Sequence, residues 1–116
     1  MDSKNIYIST QTFIKKVFWL TNGNDSEWNF IGNDLIKLKL LLDIFFEREQ
    51  RFYFVTDRHH SCEEEKIKIY AFSSLLIEKQ DFSIWNRQFN KVIEFNKIGV
   101  YRIGIYNQNS LPHPFK

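Results

Sequence analysis

The segment of residues 33–50 has apolar side chains on two sides when it is drawn as a helix. One side carries Leu35, Leu38, Leu42, Phe45 and Phe46, widened by Leu41, and the other carries Ile36, Leu40 and Ile44. A surface helix of a globular protein has one apolar face. The second face indicates either a helix buried between layers of its own chain or a helix that contacts another molecule. Asn33 is the expected N-cap, with Asp34 in the first turn.

Residues 12–31, which precede this helix, fit two structures. The first is a helix that ends at Gly23. The second is a β-hairpin with strands at residues 12–21 and 27–31, joined at Asn22-Gly23. The hairpin is favoured, because Asn-Gly is the strongest short hairpin signal and the segment is rich in strand-forming residues.

Four further segments predict strands, at residues 6–9, 51–56, 66–72 and 100–106. In the second of them the side chains alternate, with Phe52, Phe54 and Thr56 on one side and Tyr53 and Val55 on the other. In the third, Ile67, Ile69 and Ala71 alternate with Lys66, Lys68 and Tyr70. The polar residues 57–65 between these two strands predict an antiparallel hairpin.

A second helix is predicted at residues 82–98, with Asp81 as its N-cap and Gly99 at its C-terminal end. Its core stripe consists of Phe82, Trp85, Phe89, Val92 and Ile93. Residues 107–116 contain two prolines and are expected to form an irregular tail. The whole order predicts one α+β domain, residues 1–116, with a mostly antiparallel sheet of about four to six strands and two or three packed helices.

Composition excludes several classes of function. Cys62 is the single cysteine, so no internal disulfide forms, and no leader peptide or bilayer-spanning run is visible. A cytoplasmic protein is therefore expected. The four glycines are isolated, and no phosphate-binding or nucleotide-binding motif occurs. No cofactor is expected.

Residues 57–65 (DRHHSCEEE) form the one local cluster of ligand-type side chains. A zinc site needs four converging donors, and two adjacent histidines without a second spaced pair predict none. A small metal-independent ribonuclease is an alternative, with His59 or His60 as the general base and Glu63 or Glu64 orienting it. Its cationic side chains would come from Arg58, Lys66 and Lys68. Cys62 is a poor nucleophile, since the following glutamates raise the pKa of its thiol.

A nucleic-acid-binding module is a second alternative. Tyrosines on predicted strands lie near basic residues, and such a surface stacks bases and holds phosphates. The tyrosines are Tyr53, Tyr70, Tyr101 and Tyr106, and the basic residues are Arg51, Lys66, Lys68 and Arg102. The net charge of +2 is small for this function.

The favoured function is non-catalytic binding of another protein. The predicted second helix carries Ile84, Phe95 and Ile98 beside Arg87, Gln88 and Lys91, and apolar anchors ringed by polar side chains are typical of interfaces. The candidate contact residues are Arg58, His59, His60, Glu63, Glu64, Arg87, Lys91 and Phe95. Homodimerisation through Ile36, Leu40 and Ile44 is a further expectation.

In size, single-domain build, Asn/Lys/Ile/Phe-rich composition and lack of catalytic motifs, the chain resembles bacterial toxin-immunity proteins. The resemblance rests on general character and on no individual residue. It implies an inhibitor that neutralises a toxin or enzyme by covering its active surface.

Overall fold

A computed structural model describes residues 1–106; the predicted tail, residues 107–116, lies outside the described residues. The strands are β1 (Phe18–Trp19), β2 (Asn29–Phe30), β3 (Arg51–Val55), β4 (Cys62–Glu65), β5 (Phe82–Asn86), β6 (Lys91–Asn96) and β7 (Val100–Ile105). The helices are α1 (Ser3–Phe13), α2 (Leu35–Phe46) and α3 (Lys66–Leu76). All strand pairs are antiparallel, in the order β1-β7-β6-β5-β3-β4, and β2 also pairs with β7. The predicted α+β class is confirmed, with seven strands and three helices in the described residues.

Helices cover both faces of the sheet. On one face α2 and α3 pack on a core that includes Phe52, Phe54, Ile84, Ile93 and Phe95. On the other face α1 packs on a smaller core that contains Ile6, Tyr53, Val55, Trp85, Phe89 and Val92. The predicted alternation along β3 is confirmed, because its odd and even residues belong to different cores. The central strands are therefore buried on both sides.

Helix α2 forms where the sequence predicts it but is shorter at both ends. Asp34, not Asn33, is its N-cap, and a carboxylate oxygen of Asp34 accepts the backbone N–H of Lys37 at 3.0 Å. The helix ends at Phe46 because Glu47 adopts a left-handed φ of 50°. Three members of the predicted stripe are buried, namely Leu38, Leu42 and Phe46. Leu41 and Phe45 are half-buried, and Leu35, which the sequence placed in the same stripe, is 40% exposed.

The predicted helix at residues 82–98 is wrong, since these residues form β5, β6 and the turn between them. Ile84 and Trp85 are adjacent in sequence and both fully buried, one on each face. A strand buried on both faces shows a continuous apolar run rather than alternation, and such a run also fits a helical stripe. Gly99 does take a positive φ, of 96°, but in the turn between β6 and β7.

The predicted strands at residues 66–72 and 6–9 are also wrong, because both segments are helical. In α3 the buried residues Ile69 and Ser73 are spaced i, i+4, and the partner of β3 is instead β4. In α1 the buried residues Ile6 and Thr10 have the same spacing, and Asp2 caps the helix by accepting the backbone N–H of Asn5. Short apolar alternation did not distinguish the two structures here.

Residues 12–31 form neither predicted structure in full. Helix α1 reaches Phe13 and a 3-10 turn follows at Ile14–Lys16, so the start of the segment is helical. Strands β1 and β2 do not pair with each other as in the favoured hairpin; both pair with β7 and form one interrupted edge strand. Between them, residues 20–28 form a loop. Trp28, at the end of this loop, lies on the α1 face of the sheet near Tyr7.

Candidate binding surfaces

The histidine loop between β3 and β4 is held by its own carboxylate. Asp57 accepts the backbone N–H groups of His59 at 2.8 Å and His60 at 3.0 Å, and lies 2.9 Å from Nδ1 of His60. These hydrogen bonds, the backbone one from His59 above all, lower the pKa of Asp57. Arg58, His59 and His60 are exposed. The carboxylate next to the histidine is thus Asp57, whereas the sequence pointed to Glu63 or Glu64.

Glu63 belongs to the polar segment 57–65, and it contacts Arg87, which the sequence placed on a predicted second helix. Its carboxylate lies 2.9 Å from Nε of Arg51 and 3.3 Å from Nε of Arg87, and the bond from Arg51 lowers the pKa of Glu63. Glu64 follows in the same edge strand, opposite Phe52. Arg87 and the two glutamates therefore share one edge of the sheet, on the β4 side.

Arg87, Lys91 and Phe95, the contact residues predicted on the second helix, do not form one exposed surface. Phe95 lies in the larger core, stacked on Phe82, so its assignment as a contact residue is wrong. The prediction assumed a helix, but these residues form strand β6, in which the side chain of Phe95 points into the core. The ammonium group of Lys91 donates to the carbonyl of Phe45 at 3.0 Å and pairs with Glu47 at 3.3 Å. Lys91 thus ties the sheet to the end of α2.

The tyrosines proposed for nucleic-acid binding do not share one exposed surface. Tyr53 and Tyr106 are buried, so neither can stack on a nucleic-acid base. The guanidinium of Arg102 already pairs with Glu27 and Glu94. The thiol of Cys62 has a raised pKa because it is partly buried. Within residues 1–106 no group of three or more His, Cys, Asp or Glu side chains is placed to hold a metal ion.

The outer side of α2 carries the second apolar stripe into solvent. Ile36, Leu40 and Ile44 are 78%, 54% and 73% exposed, although the opposite side of the same helix is in the core. The sequence left open whether this stripe is buried by the chain itself. Residues 1–106 do not bury it.

Helix α3 adds a parallel ridge that the sequence analysis missed. Ile67 and Leu75 are largely exposed, and Ala71 lies exposed between them at the i, i+4, i+8 spacing. The helices run antiparallel, because Lys66 reaches Asp43 near the end of α2 while the hydroxyl of Tyr70 donates to the carbonyl of Leu35 at its start. Each ridge is exposed opposite the buried side of its helix, so both ridges face away from the sheet. The residues of this outer helical face are Ile36, Leu40, Ile44, Ile67, Ala71 and Leu75.

An ion-pair network crosses the seam between the two ridges. Asp43 lies 3.1 Å from the ammonium of Lys39 in its own helix and 3.0 Å from that of Lys66 in α3. The hydrogen bond from Lys66, followed by that from Lys39, lowers the pKa of Asp43 below its ordinary value of 3.8. The network links the two helices whose outer sides form the outer helical face.

Asp43→Asn is expected to lower the free energy of unfolding by less than about 1 kcal/mol at pH 7, since exposed ion pairs are weak. Because the folded-state pKa is depressed, the stabilisation is present above pH 3.8 and is lost as the pH falls through the folded-state value. Urea unfolding at neutral and acidic pH measures this difference. Asp25→Asn, which removes an equal charge from the exposed loop, is the control. A difference that grows in acid contradicts the assignment.

A cleft opens on the opposite face of the sheet. Helix α1 starts beside the β3–β4 loop, where Ser3 accepts the backbone N–H of Ser61, and ends where Phe13 stacks on Phe89 in the β5–β6 turn. It therefore crosses the sheet obliquely and leaves one corner of this face uncovered. The loop of residues 20–28 borders that corner. The space between α1 and this loop is about 280 Å³. Its lining includes Tyr7, Gln11, Trp28, Ser83, Glu94 and Asn96.

Arg102 lies behind Trp28, outside the lining of the cleft. Its guanidinium lies 3.7 Å from the ring centre of Trp19 and 4.7 Å from that of Trp28. Nε donates to Glu94 and Nη1 to Glu27, both at 2.7 Å. The two indoles and the two carboxylates come from three separate segments. Stacking and charge-assisted hydrogen bonds together satisfy a guanidinium here.

No protein-family model, curated protein or solved structure matches this chain. Function therefore has to be argued from its own surfaces. None of the helices in residues 1–106 is long and apolar enough to cross a membrane. Within the described residues, the outer helical face and the cleft beside α1 (the α1-side cleft) are two surfaces with a defined chemistry.

Proposed function

We propose that this protein acts without catalysis, by binding another protein through its outer helical face. The observation that carries the proposal is the exposure of Ile36, Leu40 and Ile44 on a helix whose opposite side is buried at Leu38, Leu42 and Phe46. An aliphatic side chain of this size gains about 1.5–3 kcal/mol when it moves from water into a complete apolar contact. Five such residues on two ridges supply a driving force for association.

The composition of the face fits a protein interface. Its centre is aliphatic, and exposed lysines flank the two ridges, Lys37 on α2 and Lys68 on α3. An apolar centre with a polar rim is the usual arrangement of a protein-binding surface. The lysines favour a partner with acidic side chains around an apolar patch, since opposite charges at the rim steer association.

The specific form of the proposal is an inhibitor or immunity-type protein for a bacterial toxin or enzyme. Inhibition would follow from occlusion, because a partner whose active surface lies under α2 and α3 cannot admit its substrate. The dispersal of the tyrosines and the self-held histidine loop favour this function over nucleic-acid binding or ribonuclease activity. The product of the gene directly upstream is the first partner to test.

The first experiment places a photo-crosslinking phenylalanine derivative at position 40 in the cell of origin. The matched position is Ile8, an exposed aliphatic residue of α1 on the opposite face of the sheet. An adduct formed from position 40, absent from position 8 and lost in Ile36→Glu/Ile44→Glu identifies the partner. Adducts of equal yield from both positions contradict the proposal.

The second experiment measures affinity for the partner so identified. Leu40→Glu is expected to weaken binding by more than about tenfold, because it buries a charge at the centre of the contact. Ile8→Glu introduces the same change outside the face and is expected to leave the affinity unchanged. Isothermal titration calorimetry gives both values. Equal affinities for the wild type and Leu40→Glu contradict the assignment of the face.

Homodimerisation is tested with the purified chain alone. If a second copy occupies the face, sedimentation velocity shows a dimer that Leu40→Glu converts to a monomer. The partner in the proposal is then this chain itself. A dimer that persists in Leu40→Glu locates self-association elsewhere.

A further inference from the structure

The α1-side cleft is negatively charged on a chain whose net charge is positive. Among the residues that line it, Asp81 and Glu94 are acidic, and no lysine, arginine or histidine of residues 1–106 contributes to the lining. The backbone N–H of Lys97 donates to Asp81 at 2.8 Å, while its side chain is not part of the lining. The cleft therefore attracts a cation.

Aromatic side chains enclose the two sides of this charge. Tyr7 lines the cleft from α1, and Trp28 lines it from the loop of residues 20–28. Ser83 and Asn96 form a polar floor beside Glu94, and Trp85 donates its indole N–H to the hydroxyl of Ser83 at 3.1 Å. Aromatic walls with a carboxylate at the base suit a flat, weakly hydrated cation better than a compact, strongly hydrated one.

Glu94 has bonding capacity left after it has bound Arg102. One of its oxygens, Oε1, accepts Nε of Arg102, and the other makes no hydrogen bond to a residue of 1–106. A carboxylate can accept at both oxygens. The repulsion between Arg102 and a second cation is offset by Glu27, which binds Arg102 from its other side. Glu94 therefore offers an acceptor to a ligand in the cleft.

We propose that this cleft binds a guanidinium group, with the ligand between Tyr7 and Trp28 and paired with Glu94. In the same molecule the guanidinium of Arg102 is held by four groups, two of which, Trp19 and Glu27, lie outside the cleft lining. The other two, Trp28 with its ring at 4.7 Å and Glu94 with its carboxylate at 2.7 Å, also line the cleft. The ligand is either a free alkylguanidine or the arginine side chain of a peptide. The cleft lies on the opposite face of the sheet from the outer helical face, so the two proposals can fail separately.

The test is a titration followed by the indole N–H signals of the three tryptophans in a nitrogen–proton correlation spectrum. The probes are agmatine, an N-acetylated and C-amidated Gly-Arg-Gly peptide, and the same peptide with lysine. The expected result is a saturable shift of the Trp28 and Trp85 signals, with a dissociation constant of about 1 mM, as suits a ligand with few contacts. A tighter constant for agmatine identifies a free ligand, and a tighter one for the peptide identifies a side chain.

Gln11→Lys tests the site without changing the Arg102 contacts. Gln11 lines the cleft from α1, and a lysine there is expected to weaken guanidinium binding by at least about tenfold through like-charge repulsion. Gln88→Lys adds the same charge in the exposed β5–β6 turn and is expected to leave binding unchanged. Absence of a saturable shift, equal binding of the lysine peptide, or equal loss in the two variants overturns the proposal.

Discussion

Phe46→Ala is expected to lower the free energy of unfolding by about 3–5 kcal/mol. Phe46 is 0% exposed at the end of α2, with its ring centre 4.8 Å from that of Phe52 in the sheet and 5.0 Å from that of Phe45. The substitution removes the ring and leaves a cavity between α2 and the sheet, and both effects destabilise the folded state. Equilibrium unfolding in guanidinium chloride measures the loss.

Phe18→Ala is the matched control for this prediction. Phe18 lies in the edge strand β1 and is 72% exposed, so removal of its ring leaves no cavity. A change of less than about 1 kcal/mol is expected, as for other exposed positions. If the two variants lose similar stability, α2 is not packed on the sheet as the structure shows. The outer helical face would then lack its support.

The elements that the sequence identified correctly have unambiguous patterns. Residues 51–55 alternate between two cores, and the segment of residues 35–46 has an apolar stripe at the helical period. The closing strand at residues 100–105 also lies where predicted. In each of these segments the local pattern and the tertiary environment agree, so the pattern alone was enough.

The elements that the sequence did not identify depend on what packs on them. Strand β5 is covered on both faces, which removes the alternation that marks a half-buried strand. In α3, Ile67, Ile69 and Ala71 alternate like strand residues, but Ile69, Phe72 and Leu76 also fit the helical spacing i, i+3, i+7. Residues 66–76 form a helix rather than a strand because β4 already pairs with the edge of β3.

The candidate surfaces also differ in how much of each the sequence could predict. The α2 half of the outer helical face was visible in the sequence because a helix with two apolar stripes has one more than its own core requires. The α3 half was hidden by the wrong strand assignment. The cleft could not be predicted at all, since Tyr7, Trp28 and Glu94 are far apart in sequence and meet only through the oblique course of α1.

Gly104→Ala is expected to lower the free energy of unfolding by about 1–3 kcal/mol, because the core has no room for a methyl group at this position. A Cβ atom on Gly104 would overlap Cγ1 of Val17 and lie 2.9 Å from Cε3 of Trp19. Val17 is β-branched and stiff, and Trp19 stacks on the guanidinium of Arg102, so neither side chain can move freely.

Near-ultraviolet circular dichroism and chemical unfolding of Gly104→Ala together measure the displacement of Trp19 and the loss of stability. Gly23→Ala is the control, because no atom lies within 4 Å of a Cβ placed there. Its stability is expected to change by less than about 0.5 kcal/mol. A Gly104→Ala protein as stable as the wild type would mean that β1 does not lie against β7 in this register. The stacking of Trp19 on Arg102, which in turn contacts Trp28 and Glu94 of the cleft, would then be wrong as well.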